Sequence, residues 1–210
     1  EESAIAALEQ TTLLDPPAAL SRDPYEEPDA HQAQPDKRCG VLFDAQSPTS
    51  YRVQTFDDEQ QLQQAGAWLT HHGACGLCSS LQDLAVYIRN PDLTEPVRSC
   101  GVEGMSEGQE RNIECLQEIG FSPLCAEIWY YNTLNTRTVC QSECLKALNE
   151  PHHLPDGSLN PCIQCDEDNS GPVFKAVAGR TRRNSGLPSG LCRPCSSVRP
   201  VPHDYPLAGR

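Results

Sequence analysis

Apolar residues recur along this chain with helical spacing over most of its middle third. Ser122 has the chemistry of an N-cap and Pro123 suits the first helical position, and no breaker follows until Pro151; the pattern predicts one long helix over 122–150. Upstream, Ile113, Leu116 and Ile119 follow a capping-box pair, Ser106 and Gln109, and Gly120 ends the run. Two helices joined so tightly predict an antiparallel hairpin. Leu81, Leu84, Ala85 and Ile88 fall at i, i+3, i+4 and i+7 behind a Ser80/Asp83 cap, predicting a further helix that stops at Asn90-Pro91. A fourth helix is predicted from the Thr55/Asp58 pair, with Leu62, Ala65 and Leu69 on one face and an end near Gly73.

The pattern changes period between 39 and 56. Residues 40–43 and 51–56 read as two short strands around the turn-forming Ser47-Pro48-Thr49-Ser50, so a small hairpin is expected there. Residues 91–106 read as loop. The expected fold class is an α-rich, small α+β, disulfide-rich domain with about four helices, one short β-hairpin and long irregular terminal arms. Its parts are an extended acidic, Pro-rich arm (1–38), a helical disulfide-stapled core (39–150), an irregular cysteine-knuckle region (151–197) and an extended tail (198–210).

Composition sharpens this picture through sulfur. Twelve of the 210 residues are cysteine, at 39, 75, 78, 100, 115, 125, 140, 144, 162, 165, 192 and 195. So high and even a number points to an oxidising compartment and a framework of disulfides supporting a modest core. The pairing of Cys39, Cys75, Cys78, Cys100, Cys115, Cys125, Cys140, Cys144, Cys162, Cys165, Cys192 and Cys195 cannot be read from spacing. The low apolar content (38%) and eighteen prolines agree with a limited core and much irregular chain. No apolar run approaches membrane-spanning length.

The net charge of −13 is unevenly spread: residues 1–36 carry nine acids and one base, whereas 171–210 carry seven bases and one acid. So acidic a chain is repelled as a whole from nucleic acid. The compact basic run containing Arg180, Arg182 and Arg183 is instead assigned to acidic protein surface, including the 1–36 arm of another copy.

Three alternatives for chemistry compete with structural disulfides. Cys75-Gly76-Leu77-Cys78 has the spacing of a dithiol exchange site, just before a helix N-terminus that would stabilise thiolate, with His71 and His72 available for proton transfer. Cys162, Cys165, Cys192 and Cys195 form two CxxC pairs separated by twenty-six residues, the arrangement of a zinc knuckle. Asp166, Asp168 and Ser170 open like a calcium loop with Gly171 sixth, but the twelfth position is Val177 and lacks the bidentate acid. Zn2+ and Ca2+ are thus the alternative cofactors to none. No nucleophile elbow, HExxH or phosphate-binding glycine loop supports a hydrolase. Trp129, Tyr130 and Tyr131 form an aromatic cluster assigned to core packing. The sequence reading is a secreted structural or interaction protein, a subunit of an extracellular assembly that binds copies of itself or other subunits through its arms.

Overall fold

The structure is a computed structural model and describes residues 2–192 and 194–207. Among them are nine α-helices, a four-stranded mixed sheet and five disulfides, so the expectation of about four helices and a lone hairpin is corrected. In chain order the elements are α1 (Glu2–Glu9), β1 (Thr12–Leu13), β2 (Arg38–Phe43), β3 (Ser50–Phe56), α2 (Glu59–Gln64), β4 (Trp68–His72), α3 (Leu81–Arg89), α4 (Thr94–Glu107), α5 (Gln109–Glu118), α6 (Pro123–Val139), α7 (Gln141–Lys146), α8 (Pro161–Asn169) and α9 (Gly171–Ala178).

The sheet runs β1-β3-β2-β4. The β2/β3 hairpin pairs Arg38 with Phe56 through to Phe43 with Tyr51. β1 joins β3 in parallel, and β4 lies antiparallel on the other side of β2. The fourth predicted helix was extended too far: α2 ends at Gln64, and Trp68–His72, rich in aromatic and β-branched character, pairs as a strand. A bulge in β4 sets His71 opposite Cys39 and Leu69 opposite Gly40, which leaves Thr70 without a cross-strand partner.

Helix α4 occupies most of the segment expected to be loop, and it accommodates Pro96, Gly101 and Gly104. Pro96 lies in the first turn, where backbone N–H groups have no intrahelical acceptor. Gly101 is needed for contact: a methyl there would sit 2.6 Å from Thr133 Cγ2 of α6. The predicted 122–150 helix divides at Cys140, whose backbone (φ −114°, ψ 11°) leaves the helical region and lets α7 turn toward α8. The region expected to be irregular contains α8 and α9. Asn160 accepts from the Ile163 N–H at 3.0 Å and Pro161 takes the first helical position, a sound N-terminus masked by the CxxC motif.

Helix α3 supplies Leu81, Leu84, Ala85, Val86 and Tyr87 to the core, which is continuous with Val41 and Tyr51 of the sheet and with Leu116, Phe121 and Ile128 of the α5/α6 region. The two ends of the chain enter it as well. Ile5 and Leu8 of α1 are buried, and Glu9 pairs with Arg89 of α3. Tyr205 is only 3% exposed, and its hydroxyl donates to Thr70 Oγ1 at 2.9 Å.

The disulfides join Cys39–Cys75, Cys78–Cys125, Cys100–Cys115, Cys140–Cys165 and Cys144–Cys162, leaving Cys192 and Cys195 free and exposed. Five such bonds mark a protein of an oxidising environment, consistent with an extracellular location. Among the described residues no helix is long and apolar enough to cross a membrane.

Candidate functional site

Helices α4 and α7 form the two lips of a cleft with a volume of about 430 Å3, and α6, α8 and α9 form its floor. Trp129, Ile163 and Phe174 line the base, and Leu93 and Val97 continue the apolar wall. Trp129 packs between Phe121 and Phe174, with ring centroids 5.8 and 4.5 Å away. At the lips stand Val102 (60% exposed), Met105 (61%), Leu145 (60%) and Leu148 (54%). Isolated exposed hydrophobics need no explanation, but four converging on one concavity define an apolar surface with a location.

The cleft was not legible in advance because one lip lay in a presumed loop. Its signal was present in part: Val102 and Met105 are three apart and share a face of α4, whereas Leu145 lies near the end of α7 and Leu148 in the turn just beyond it.

Polar groups in the floor are held in a network. Asp166 Oδ1 accepts from Thr136 Oγ1 at 2.5 Å and from Asn132 Nδ2 at 3.3 Å. Ser170 Oγ lies 2.7 Å from Thr136 Oγ1 and accepts from Asn135 Nδ2 at 3.0 Å. The Tyr25 hydroxyl stands 2.9 Å from both Asn132 Oδ1 and the Ser170 carbonyl, which ties the N-terminal segment to α6 and to the junction of α8 and α9. Burial raises the Asp166 carboxyl and the Tyr25 hydroxyl above their ordinary ranges. Beside the floor, the Tyr87 hydroxyl and the Trp129 indole nitrogen are both buried and face each other.

The residues singled out by sequence motifs lie elsewhere or have other tasks. Cys75 and Cys78 do not form a dithiol pair, because Cys75 bonds Cys39 and Cys78 bonds Cys125. His72 is half-buried beside Arg38, and desolvation followed by that positive charge lowers its pKa. Cys162 and Cys165 are bonded to Cys144 and Cys140, so they cannot join Cys192 and Cys195 in a four-sulfur zinc site. The described residues contain no group of three or more His, Cys, Asp or Glu arranged to hold a metal. Asp166, Asp168 and Ser170 sit on α8 and its C-cap, where Asp166 is turned inward to Thr136, so the segment is not a calcium loop.

The basic run also folds inward. Arg180 is the largest fully buried side chain, at 0% exposure, and is not a surface contact. Its guanidinium donates to the carbonyls of Cys78 and Thr70 at 3.0 Å and of Ser79 at 3.2 Å. It also donates to Thr70 Oγ1 at 2.7 Å and Ser185 Oγ at 3.2 Å. Thr70 can serve twice because the bulge frees its carbonyl. Asp83, equally buried, accepts from Ser122 N and Oγ at 2.8 and 2.9 Å and joins the start of α3 to the start of α6. His71 Nε2 faces Ser79 Oγ at 2.8 Å and Nδ1 faces the His72 carbonyl at 3.0 Å, so the bonding partners assign a neutral ring protonated on Nδ1. Desolvation, and then the nearby Arg180, hold its pKa well below the ordinary value. Arg182 donates to the carbonyls of Tyr87, Asn90 and Pro188, and Arg183 pairs with Glu167 at 3.3 Å.

Fold and sulfur framework together define a disulfide-braced protein of an oxidising environment with an apolar cleft between helices. Residues 109–201 match the model of a family of unknown function, DUF8771. That segment carries α6, α7, α8 and α9 of the helices bordering the cleft, but not α3 or α4, and it includes Arg180 without the β4 strand and the 78–79 loop that accept from it. No curated protein and no solved structure matches the chain.

Proposed function

We propose that this is a secreted binding protein whose working surface is the cleft between α4 and α7, with the disulfides holding that cleft open and preformed. The observation that carries the reading is the convergence of Val102, Met105, Leu145 and Leu148 on a single apolar concavity of about 430 Å3. That volume lies in the range of small-molecule sites, roughly 300–1,000 Å3, which are mostly apolar with few placed polar groups. Preformation supports affinity because little ordering is needed on binding. Two disulfides anchor α7 to α8 and one joins α4 to α5, so both lips are braced.

Titration with Nile red, an uncharged apolar dye, tests this. Saturable binding at one site is expected, and it is lost in the Val102→Asp/Leu145→Asp variant, whose changes lie on exposed positions. Absence of saturable binding, or binding indifferent to that variant, refutes the reading.

An extracellular assembly is the second reading, favoured by the same exposed lips, which a neighbouring protein could cover. Its original support in the terminal arms is weaker, because Ile5, Leu8, Tyr25 and Tyr205 make their contacts within the chain. Light scattering that gives a multimer, reduced to a monomer by Leu148→Glu, would favour it.

A further inference from the structure

We infer that the guest of this cleft is a small amphiphile with a single anionic head, a hydrocarbon chain carrying a carboxylate, whose chain lies between the lips and whose head meets Arg137. The inference rests on the binding reading above and adds the chemical class of the ligand.

Charge in the cleft lining decides the head group. Asp166 accepts from Thr136 and Asn132, Glu167 holds Lys175 at 3.0 Å and Arg183 at 3.3 Å, and Asp92 accepts from Thr94 N at 2.8 Å. Every acid of the lining therefore has a partner. Among the cations, Arg98 pairs with Glu95 at 2.7 Å, Lys175 and Arg183 share Glu167, and Arg182 is directed at backbone carbonyls. Arg137, on the last turn of α6, is the exception: it makes no ion pair or hydrogen bond among the described residues. An otherwise acidic chain thus presents one uncommitted cation to an apolar cleft.

A guanidinium recognises carboxylate through paired N–H donors, so an anionic head gains there what an ammonium or hydroxyl does not. The cleft volume of about 430 Å3 lies in the range of small-molecule sites.

The test is calorimetric titration of the full chain with dodecanoate and dodecylammonium below their micelle concentrations and with dodecanol below its solubility limit. Dodecanoate is expected to bind one to one and about tenfold more tightly than dodecanol, the worth of one charge-assisted contact. Arg137→Gln removes that advantage while leaving dodecanol within about twofold, and an unchanged urea midpoint for the half-buried position keeps folding out of the comparison. If dodecanol or dodecylammonium matches dodecanoate, or Arg137→Gln leaves the preference intact, the head-group assignment fails while the cleft remains a binding site. If none of the three binds and Nile red does not either, both readings fail together. If Nile red binds at the cleft but no amphiphile does, the ligand class alone is overturned.

Discussion

Replacing Arg180 by Met tests whether the fold depends on the buried guanidinium. Met keeps much of the apolar stem and removes all five donors, leaving the carbonyls of Thr70, Cys78 and Ser79 and the hydroxyls of Thr70 and Ser185 without that partner. A buried polar group left unsatisfied costs about 1–3 kcal/mol, and breaking a buried charged network typically costs about 3–5 kcal/mol in all because effects are not additive. We therefore expect a loss of about 4 kcal/mol, a large share of a typical domain stability of about 5–15 kcal/mol. An apolar replacement of a buried ion pair can be neutral, but here the partners are mostly main-chain carbonyls that no mutation can make apolar. Arg180→Lys should recover part of the loss, since three donors on a point charge cannot reach all five acceptors. Removing Arg180 also lifts Asp83, already raised by burial, further from the carboxylate range. The deficit should accordingly be smaller at pH 4 than at pH 7. Urea denaturation with disulfides intact, followed by tryptophan fluorescence, measures it. A cost below about 1 kcal/mol for Arg180→Met would refute the reasoning.

Three further outcomes are expected. His71 is neutral in the fold with its pKa held below the unfolded value of 6.5, so the unfolded chain takes up the proton first. Stability should be insensitive to this group above pH 6.5 and fall by up to about 1.4 kcal/mol per pH unit below it, a slope that His71→Asn removes in urea midpoints measured from pH 7.5 to 5. Asp83 and Asp166, raised by burial, contribute the opposite sign, losing stabilisation as pH climbs above 3.8, and remain in the His71→Asn comparison as a common background. Replacing both Cys78 and Cys125 with Ala should cost about 4 kcal/mol, against about 3 for Cys100 and Cys115, because the loops closed span 47 and 15 residues; equal midpoints for the two variants would contradict loop closure as the cause. Tyr25→Phe should cost about 1 kcal/mol and speed hydrogen exchange around 24–30 without altering the sheet, and unchanged exchange there would show that the floor network does not hold this segment.

What could be read from the chain alone divides along physical lines. The caps of α3 and α6 were legible because Ser80 and Ser122 act locally, each accepting from the N–H three residues on. The β2/β3 hairpin was legible for the same reason. Helix α4 was not, since Gly101 has a meaning only once Thr133 is placed against it, and glycine in isolation reads as a breaker. Strand β4 depends on β2 for its pairing, and β1 on β3 across a long separation, so neither shows in a local window. The high cysteine count identified a disulfide framework, but pairings depend on three-dimensional proximity, and the CxxC spacings at 75–78 and 162–165 misled because each cysteine bonds outside its motif. Arg180 looked like surface because arginine usually is, and only the bulge at Thr70 together with the 78–79 carbonyls makes its burial tolerable.

The end of α9 meets the Cys75–Cys78 loop backbone to backbone. A methyl on Gly76 would lie 2.3 Å from the Val177 carbonyl, and one on Gly179 would lie 2.5 Å from the Gly76 nitrogen. Two segments about a hundred residues apart in the chain thus seal against each other, and Arg180 enters behind the seam. During synthesis the ribosome must deliver residues beyond 180 before the region around Thr70 and Ser79 can close, whereas the sulfurs of residues 39 to 125 are available far earlier. Maturation therefore runs the risk of covalent locking before this late seam is made, and a chain stopped short of Arg180 should hold all five disulfides while the region around Thr70 and Ser79 stays open.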